Sequence, residues 1–188
     1  MAGKLRIRLT RLNLYGLIIL IRFLYSNYGP TLKTSRLGNL KYGTDQVLWL
    51  LHDYVTEAGT MNFFVYWKNE AGEDELVTPP LDGTILPGVT RDSILTMTRE
   101  LKEFKVSTRP YKIQELMKAC KEKRIYEAFG AGTAAIVSPV QSFVYQGETF
   151  EVPVDKEKGA GKLTQRILQM MIDLQYGIVS RPEWQFYL

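Results

Sequence analysis

An α+β fold is predicted here, a mixed sheet with flanking helices. Short apolar or alternating runs recur along the chain, as half-buried or fully buried strands require. Apolar residues at helical spacing interrupt them near 94–101, 113–120 and 163–174. With 188 residues, 45% hydrophobic and 23% charged, the chain can bury one sizeable core, with at most a small appendage.

Taken in order, Gln46 to Leu51 (QVLWLL) suits a buried strand, and Met61 to Trp67 (MNFFVYW) has strong β propensity. The aromatics Phe63, Phe64, Tyr66 and Trp67 are expected in the core. Glu70 to Glu73 makes a turn before a strand from Glu75 to Thr78. Pro87-Gly88 breaks the chain ahead of a helix whose Ile94, Leu95, Thr98 and Leu101 share a face. Arg91 and Asp92 are assigned to that helix's surface and its dipole. Lys105 to Thr108 alternates as a strand. Ile113, Leu116, Met117 and Cys120 mark a second helix, with Cys120 packed and inert. Ile125 to Phe129, Ala134 to Tyr145 and Thr149 to Val152 read as strands, with Gln146-Gly147 as a hairpin turn. Leu163, Ile167, Met170, Met171 and Leu174 mark the last helix, and Asp155 to Lys162 is the best linker candidate.

Residues 1–26 differ from the body at 27–188. Lys4, Arg6, Arg8 and Arg11 precede an apolar run, Leu12 to Leu20, that Arg22 ends too soon for a bilayer span. A basic start followed by an apolar stretch imitates a signal or transit peptide. No cleavage site follows, which favours a segment from an alternative start or a mis-joined exon. If it folds, Leu17 to Leu24 suits a buried strand.

Residues 1–44 hold eight bases and no acid, while the remainder holds 16 bases and all 20 acids. The net +4 is thus local to one end and argues against a nucleic-acid partner. One cysteine excludes an internal disulfide and suits a reducing compartment. A single histidine, His52, leaves no His-Cys cluster for zinc and has no Ser or Cys partner for catalysis.

Three polar-glycine clusters stand between the apolar runs: Thr56 to Asn62 (TEAGTMN), Leu86 to Ser93 (LPGVTRDS) and Phe129 to Ala135 (FGAGTAA). Glycine lets backbone approach a ligand, and free amides at a helix start favour an anion. Glu57 is a partly buried acid needing a partner or an exposed turn residue. Val89 and Thr90 could turn amides toward a phosphate, or Thr90 could cap the helix. The Gly132-Thr133-Ala134 stretch is a second close approach or a tight turn.

In this order, with Asn27-Tyr28-Gly29-Pro30-Thr31 before them and Ser138-Pro139-Val140 after, the clusters resemble the branched-chain aminotransferases, which use pyridoxal phosphate (PLP). The resemblance covers 27–188 and implies the large C-terminal domain of the fold type IV (D-amino-acid aminotransferase-like) enzymes, a mixed β pseudo-barrel with flanking helices. It implies amino transfer between leucine, isoleucine or valine and 2-oxoglutarate, in the cytosol or mitochondrion. By the same match Tyr28 hydrogen-bonds the cofactor's phenolic oxygen and Glu57 faces its ring nitrogen. Val89, Thr90 and Thr133 hold its phosphate, while Thr60, Thr133 and Ala134 meet the substrate. Asn62 supports the turn.

The chain departs from the family's pattern in specific places. The family's reactive lysine stands four residues before Asn27, where this chain has Phe23. Phenylalanine can neither hold PLP covalently nor shuttle a proton, and general acid–base catalysis alone is worth ~10²–10⁴-fold. The family's smaller N-terminal domain, with its phosphate-binding arginine, is also missing, and Ala135 and Ser138 replace a redox cysteine pair. The chain is therefore expected to be a truncated form, impaired in transamination and holding PLP non-covalently at best. It is expected to form a homodimer, or to pair with a full-length subunit as a non-catalytic partner. D-amino-acid transaminase and aminodeoxychorismate lyase are the alternative activities within the fold type.

Overall fold

A computed structural model describes residues 5–11 and 32–185. Phe23, Tyr28 and the strand expected at Leu17–Leu24 lie outside the described residues. The elements in chain order are β1 (Leu5–Arg11), α1 (Leu32–Tyr42), β2 (Gln46–Leu51), β3 (Tyr54–Ala58), β4 (Met61–Lys68), β5 (Asp74–Thr78) and α2 (Val89–Leu101). Then follow β6 (Lys105–Thr108), α3 (Ile113–Lys121), β7 (Ile125–Gly132), β8 (Ile136–Tyr145), β9 (Glu148–Glu151) and α4 (Lys162–Gln175).

The strands run β3-β2-β1-β8-β7-β4-β5-β6, with β9 beside β8. A further pairing, β3 with β4, closes the first six into a ring. This is the predicted pseudo-barrel. Strand β1 comes from the segment set apart by composition, yet it runs parallel to both β2 and β8 within the same sheet.

Alternation along β4 explains how the sheet carries two cores. Phe63, Val65 and Trp67 pack into one cluster with Leu48, Val55, Phe143 and the apolar face of α3. Phe64 faces the other way, stacked on Phe129 at 5.0 Å, under Ile94 of α2 and Ile167 of α4. Side chains of successive strand residues point to opposite faces. A strand covered on both faces reads as a continuous apolar run, as MNFFVYW does.

One polar anchor sits at the edge of the first cluster. Trp67 Nε1 donates to Glu75 at 2.9 Å, and Arg109 donates to both Glu75 oxygens at 3.0 and 3.2 Å. Burial pushes the Glu75 carboxyl up, but hydrogen bonds from Arg109, Ser107 and Trp67 outweigh it and leave the group at about 2. Cys120 packs half-buried against the same core, and burial raises its thiol to about 12, so it is a poor nucleophile. Exposed His52 sits in the turn after β2.

Several expectations are corrected. Helix α1 was missed because it lacks a strong apolar stripe: Gly38 is buried, while Leu32, Leu37 and Leu40 are exposed. Strand β8 begins at Ile136 rather than Ala134, because Thr133 to Ala135 form the turn from β7. The proposed linker at 155–162 is a compact turn: Asp155 accepts the amides of Glu157 and Lys158, and Ala160 is buried. Arg91, assigned to the helix surface, is 3% exposed. No helix among the described residues is long and apolar enough to cross a membrane, and no three of their His, Cys, Asp or Glu side chains cluster as metal ligands.

Candidate active site

Strands β3 and β4 are joined by a tight turn at Gly59-Thr60, which sets Glu57 opposite Asn62 in the ladder. Glu57 is therefore a strand residue rather than a turn residue, and it is 9% exposed. Both side chains reach across to the segment that leads into α2. Glu57 Oε1 accepts the Leu86 amide at 3.0 Å and Asn62 Nδ2 at 3.3 Å. Asn62 Nδ2 also donates to the Leu86 carbonyl at 2.9 Å. Leu86 is thus held by its N–H and its C=O, and that hold sets where α2 can start. Asn62 supports more than its own turn.

Gly88 is the N-cap of α2, at φ −67° and ψ 133°, with no side-chain cap bond. The cap reading for Thr90 fails, because Thr90 is the second helical residue. The first intrahelical bond runs from the Asp92 amide to the Gly88 carbonyl at 3.0 Å. Among the described residues neither the Val89 nor the Thr90 amide has an acceptor. Glycine is required at 88 by space: a Cβ there would lie 2.2 Å from Asn62 Oδ1.

A cavity of about 260 Å³ opens at this point. Glu57, Thr60, Val89, Thr90 and Thr133 all line it, so residues from three separated clusters meet in one place. Ala134 is exposed in the β7–β8 turn and does not line it. The cavity adjoins a larger groove of about 750 Å³, which shares Val89, Thr90 and Thr133 and is walled by Met171, Tyr176 and Trp184. Burial raises the Glu57 carboxyl, partly countered by the Leu86 amide.

Sequence reasoning missed two features of β7 and the turn that follows it. Ile136 closes the β7–β8 turn at φ +54°, a conformation costly for a β-branched residue, held by its pairing with Gly132. Glu127 of β7 is buried and caps α4. Its Oε1 accepts the Leu163 amide at 2.8 Å, and its Oε2 accepts the Thr164 amide and hydroxyl at 2.8 and 2.7 Å. An acid inside a strand pattern carries no sign of the helix it will cap.

The pocket pairs a buried acid on one wall with open helix amides on another, which suits a flat cationic ring bearing a phosphate. The profile of the amino-transferase class IV family matches residues 27–143, and the chain belongs to that family. At the level of individual relatives, it is 57% identical over 160 residues to a branched-chain-amino-acid aminotransferase of Dictyostelium discoideum, across 85% of this chain and 42% of that one. It is 45% identical to a mitochondrial enzyme of that name from Schizosaccharomyces pombe (84% and 38% covered) and 46% to a cytosolic one from Rattus norvegicus (86% and 39%). The chain thus spans about two-fifths of the length of these relatives. Its fold matches the PLP form of a branched-chain amino acid aminotransferase from Thermobaculum terrenum, with TM-score 0.67 at 24% identity, covering 94% of this chain and 52% of that one.

The residues fit pyridoxal phosphate. Val89 and Thr90, whose amides are free among the described residues, line the cavity together with the buried acid Glu57.

Proposed function

We propose that this chain is the cofactor-holding unit of a branched-chain-amino-acid aminotransferase. Its substrates would be leucine, isoleucine or valine and 2-oxoglutarate. The observation that carries the reading is the convergence of Glu57, Thr60, Val89, Thr90 and Thr133 on one cavity at an uncapped helix start. PLP, when bound, draws electrons from the α-carbon of an amino acid and eases removal of its proton.

The chain's own residues position that chemistry. Val89 and Thr90 amides, with the Thr90 and Thr133 hydroxyls, bind the phosphate. Glu57 holds a proton at the ring nitrogen, and a cationic ring beside it offsets the cost of its buried charge. Thr60 and the amides of Thr133 and Ala134 orient the substrate carboxylate, the last from the rim. Tyr28 supports the ring's phenolic oxygen. Phe23 provides no amine, so cofactor capture is non-covalent and no residue at that position moves the α-proton. The body from 27 to 188 acts as the cofactor domain, and it pairs as a homodimer or with a full-length subunit. The relatives' names support the cytosol or the mitochondrion as its location.

Spectroscopic titration of the purified chain with PLP tests this. The expected result is saturable binding, reversed by dialysis, with no cofactor attached when borohydride is added after the dialysis. Leucine and 2-oxoglutarate should give no turnover. Failure to bind PLP, or binding that Glu57→Ala leaves unchanged, would overturn the site; turnover by this chain alone would overturn the role given to Phe23.

A further inference from the structure

Arg91 is the third residue of α2, directly after Val89 and Thr90, and its side chain is buried. Its Nη2 donates to the Pro79 carbonyl at 2.9 Å, while its Nε is buried with no hydrogen-bond partner. Among the described residues it makes no ion pair; the nearby charges acting on it are Asp92 and Arg99 of its own helix, both exposed. It does not line the cavity. A buried cation without a counter-ion is costly, and the positive end of a helix beside it adds to that cost. An anion bound within reach of both would offset part of that cost. Directly before Arg91 in the chain, at the entrance of α2, the Val89 and Thr90 amides are free among the described residues.

We infer that Arg91 is a positioning residue whose buried charge tunes the α2 entrance for a doubly charged phosphate. It acts from behind the first turn and braces the Pro79–Gly88 segment through the Pro79 carbonyl. The inference rests on the reading of the cavity as a PLP site and assigns a role to a side chain that would not touch the cofactor. Its charge, rather than its shape, sets how much the phosphate group contributes to binding.

A thermodynamic cycle on the full chain separates charge from packing. Pyridoxine 5′-phosphate and pyridoxine lack the aldehyde and bind without reacting with surface lysines. The ratio of their dissociation constants is the contribution of the phosphate. It is measured for the wild type, for Arg91→Gln, which keeps a donor for Pro79 without the charge, and for Arg91→Lys, which keeps the charge. Arg91→Gln should shrink the ratio about tenfold with pyridoxine affinity unchanged, while Arg91→Lys stays within about threefold of the wild type. The inference is overturned if Gln weakens both ligands equally, if it weakens neither, or if Lys loses the ratio as fully as Gln. Should Arg91→Gln not fold, Arg91→Met replaces it as the neutral variant of similar length: a ratio that shrinks with pyridoxine affinity unchanged supports the inference, and an unchanged ratio refutes it. A wild type that binds pyridoxine but gains nothing from the phosphate sinks both this inference and the phosphate reading of α2. A wild type that gains from it while Arg91→Gln gains equally sinks only the role of Arg91.

Discussion

Helices α2 and α4 both begin beside β7, and the chain treats their positive ends in opposite ways. At α4 the Glu127 carboxylate accepts the Leu163 and Thr164 amides and the Thr164 hydroxyl, so the orphan donors are sealed by the protein's own acid. Gly161 packs so tightly on that carboxylate that a Cβ would lie 2.0 Å from Glu127 Cδ. At α2 the cap is Gly88, no side chain among the described residues hydrogen-bonds the cap, and Val89 is 82% exposed. Glu57 is close by in the fold but spends Oε1 on Leu86 and Asn62 instead of on the helix. One terminus is a structural joint, and the other is left uncapped, where the proposed phosphate would bind. The same backbone physics serves both, and the difference lies in which terminus a carboxylate can reach.

The comparison breaks first at its strongest point. Glu127→Ala leaves two buried amides and a buried hydroxyl without acceptors, and should cost about 3–5 kcal/mol in urea unfolding. A cost under about 1 kcal/mol would mean that the α4 terminus is not sealed by that acid. Next, Gly88→Ala should cost about 1–3 kcal/mol, because its Cβ displaces Asn62 and frees Leu86. It should also abolish saturable PLP binding in the same titration. Val89→Pro sharpens the contrast without touching stability. Proline suits the first helical position, and Gly88 already holds the extended conformation that a following proline demands. The unfolding free energy should stay within about 0.5 kcal/mol, while affinity for PLP falls about tenfold through loss of one amide donor. Equal affinity in that variant would show that the α2 amides hold no phosphate.

The smallest effect concerns pH. Burial raises the Glu57 carboxyl, so the folded chain keeps that proton to higher pH than the unfolded chain does. Folding then takes up a proton between the ordinary 4.5 and the raised folded value, and this group favours the folded state as pH falls through that window. Glu57→Gln should therefore be more stable than the wild type above the window and lose that advantage toward its acid end. Unfolding curves across pH read the difference directly, and an advantage of the opposite slope would mean that Glu57 is not the desolvated acid.

Much of this was legible in the chain. Continuous apolar runs and β propensity placed β2 and β4, alternation placed β6, a turn signal placed β5, and helical spacing placed the apolar faces of α2, α3 and α4. The three polar-glycine clusters were visible as interruptions of that rhythm. Elements without a rhythm were not legible: α1 buries only Gly38, and β3 hides inside the TEAGTMN cluster, where Glu57 read as a turn residue. Charge misled at Arg91, since a basic residue in an amphipathic helix normally belongs outside, and only the loop folded over it provides its carbonyl partner. Asp155 to Lys162 has a linker's composition, yet it folds into the turn that delivers Gly161 onto Glu127.

The amino-acid order alone determined the family, the alternation of apolar faces and the residue types able to meet a phosphate and a ring nitrogen. It also put Phe23 where the family resemblance leads one to expect a lysine. Only the tertiary structure decided that Glu57, Thr60, Val89, Thr90 and Thr133 share a cavity while Ala134 stays at the rim, and that α4 is sealed while α2 is open. The reason is distance along the chain. Residues 57 and 133 come together because the tight β3–β4 hairpin sets Glu57 opposite Asn62 and Asn62 pairs with Ala131 of β7, and that second, long-range pairing is one no local run of residues encodes.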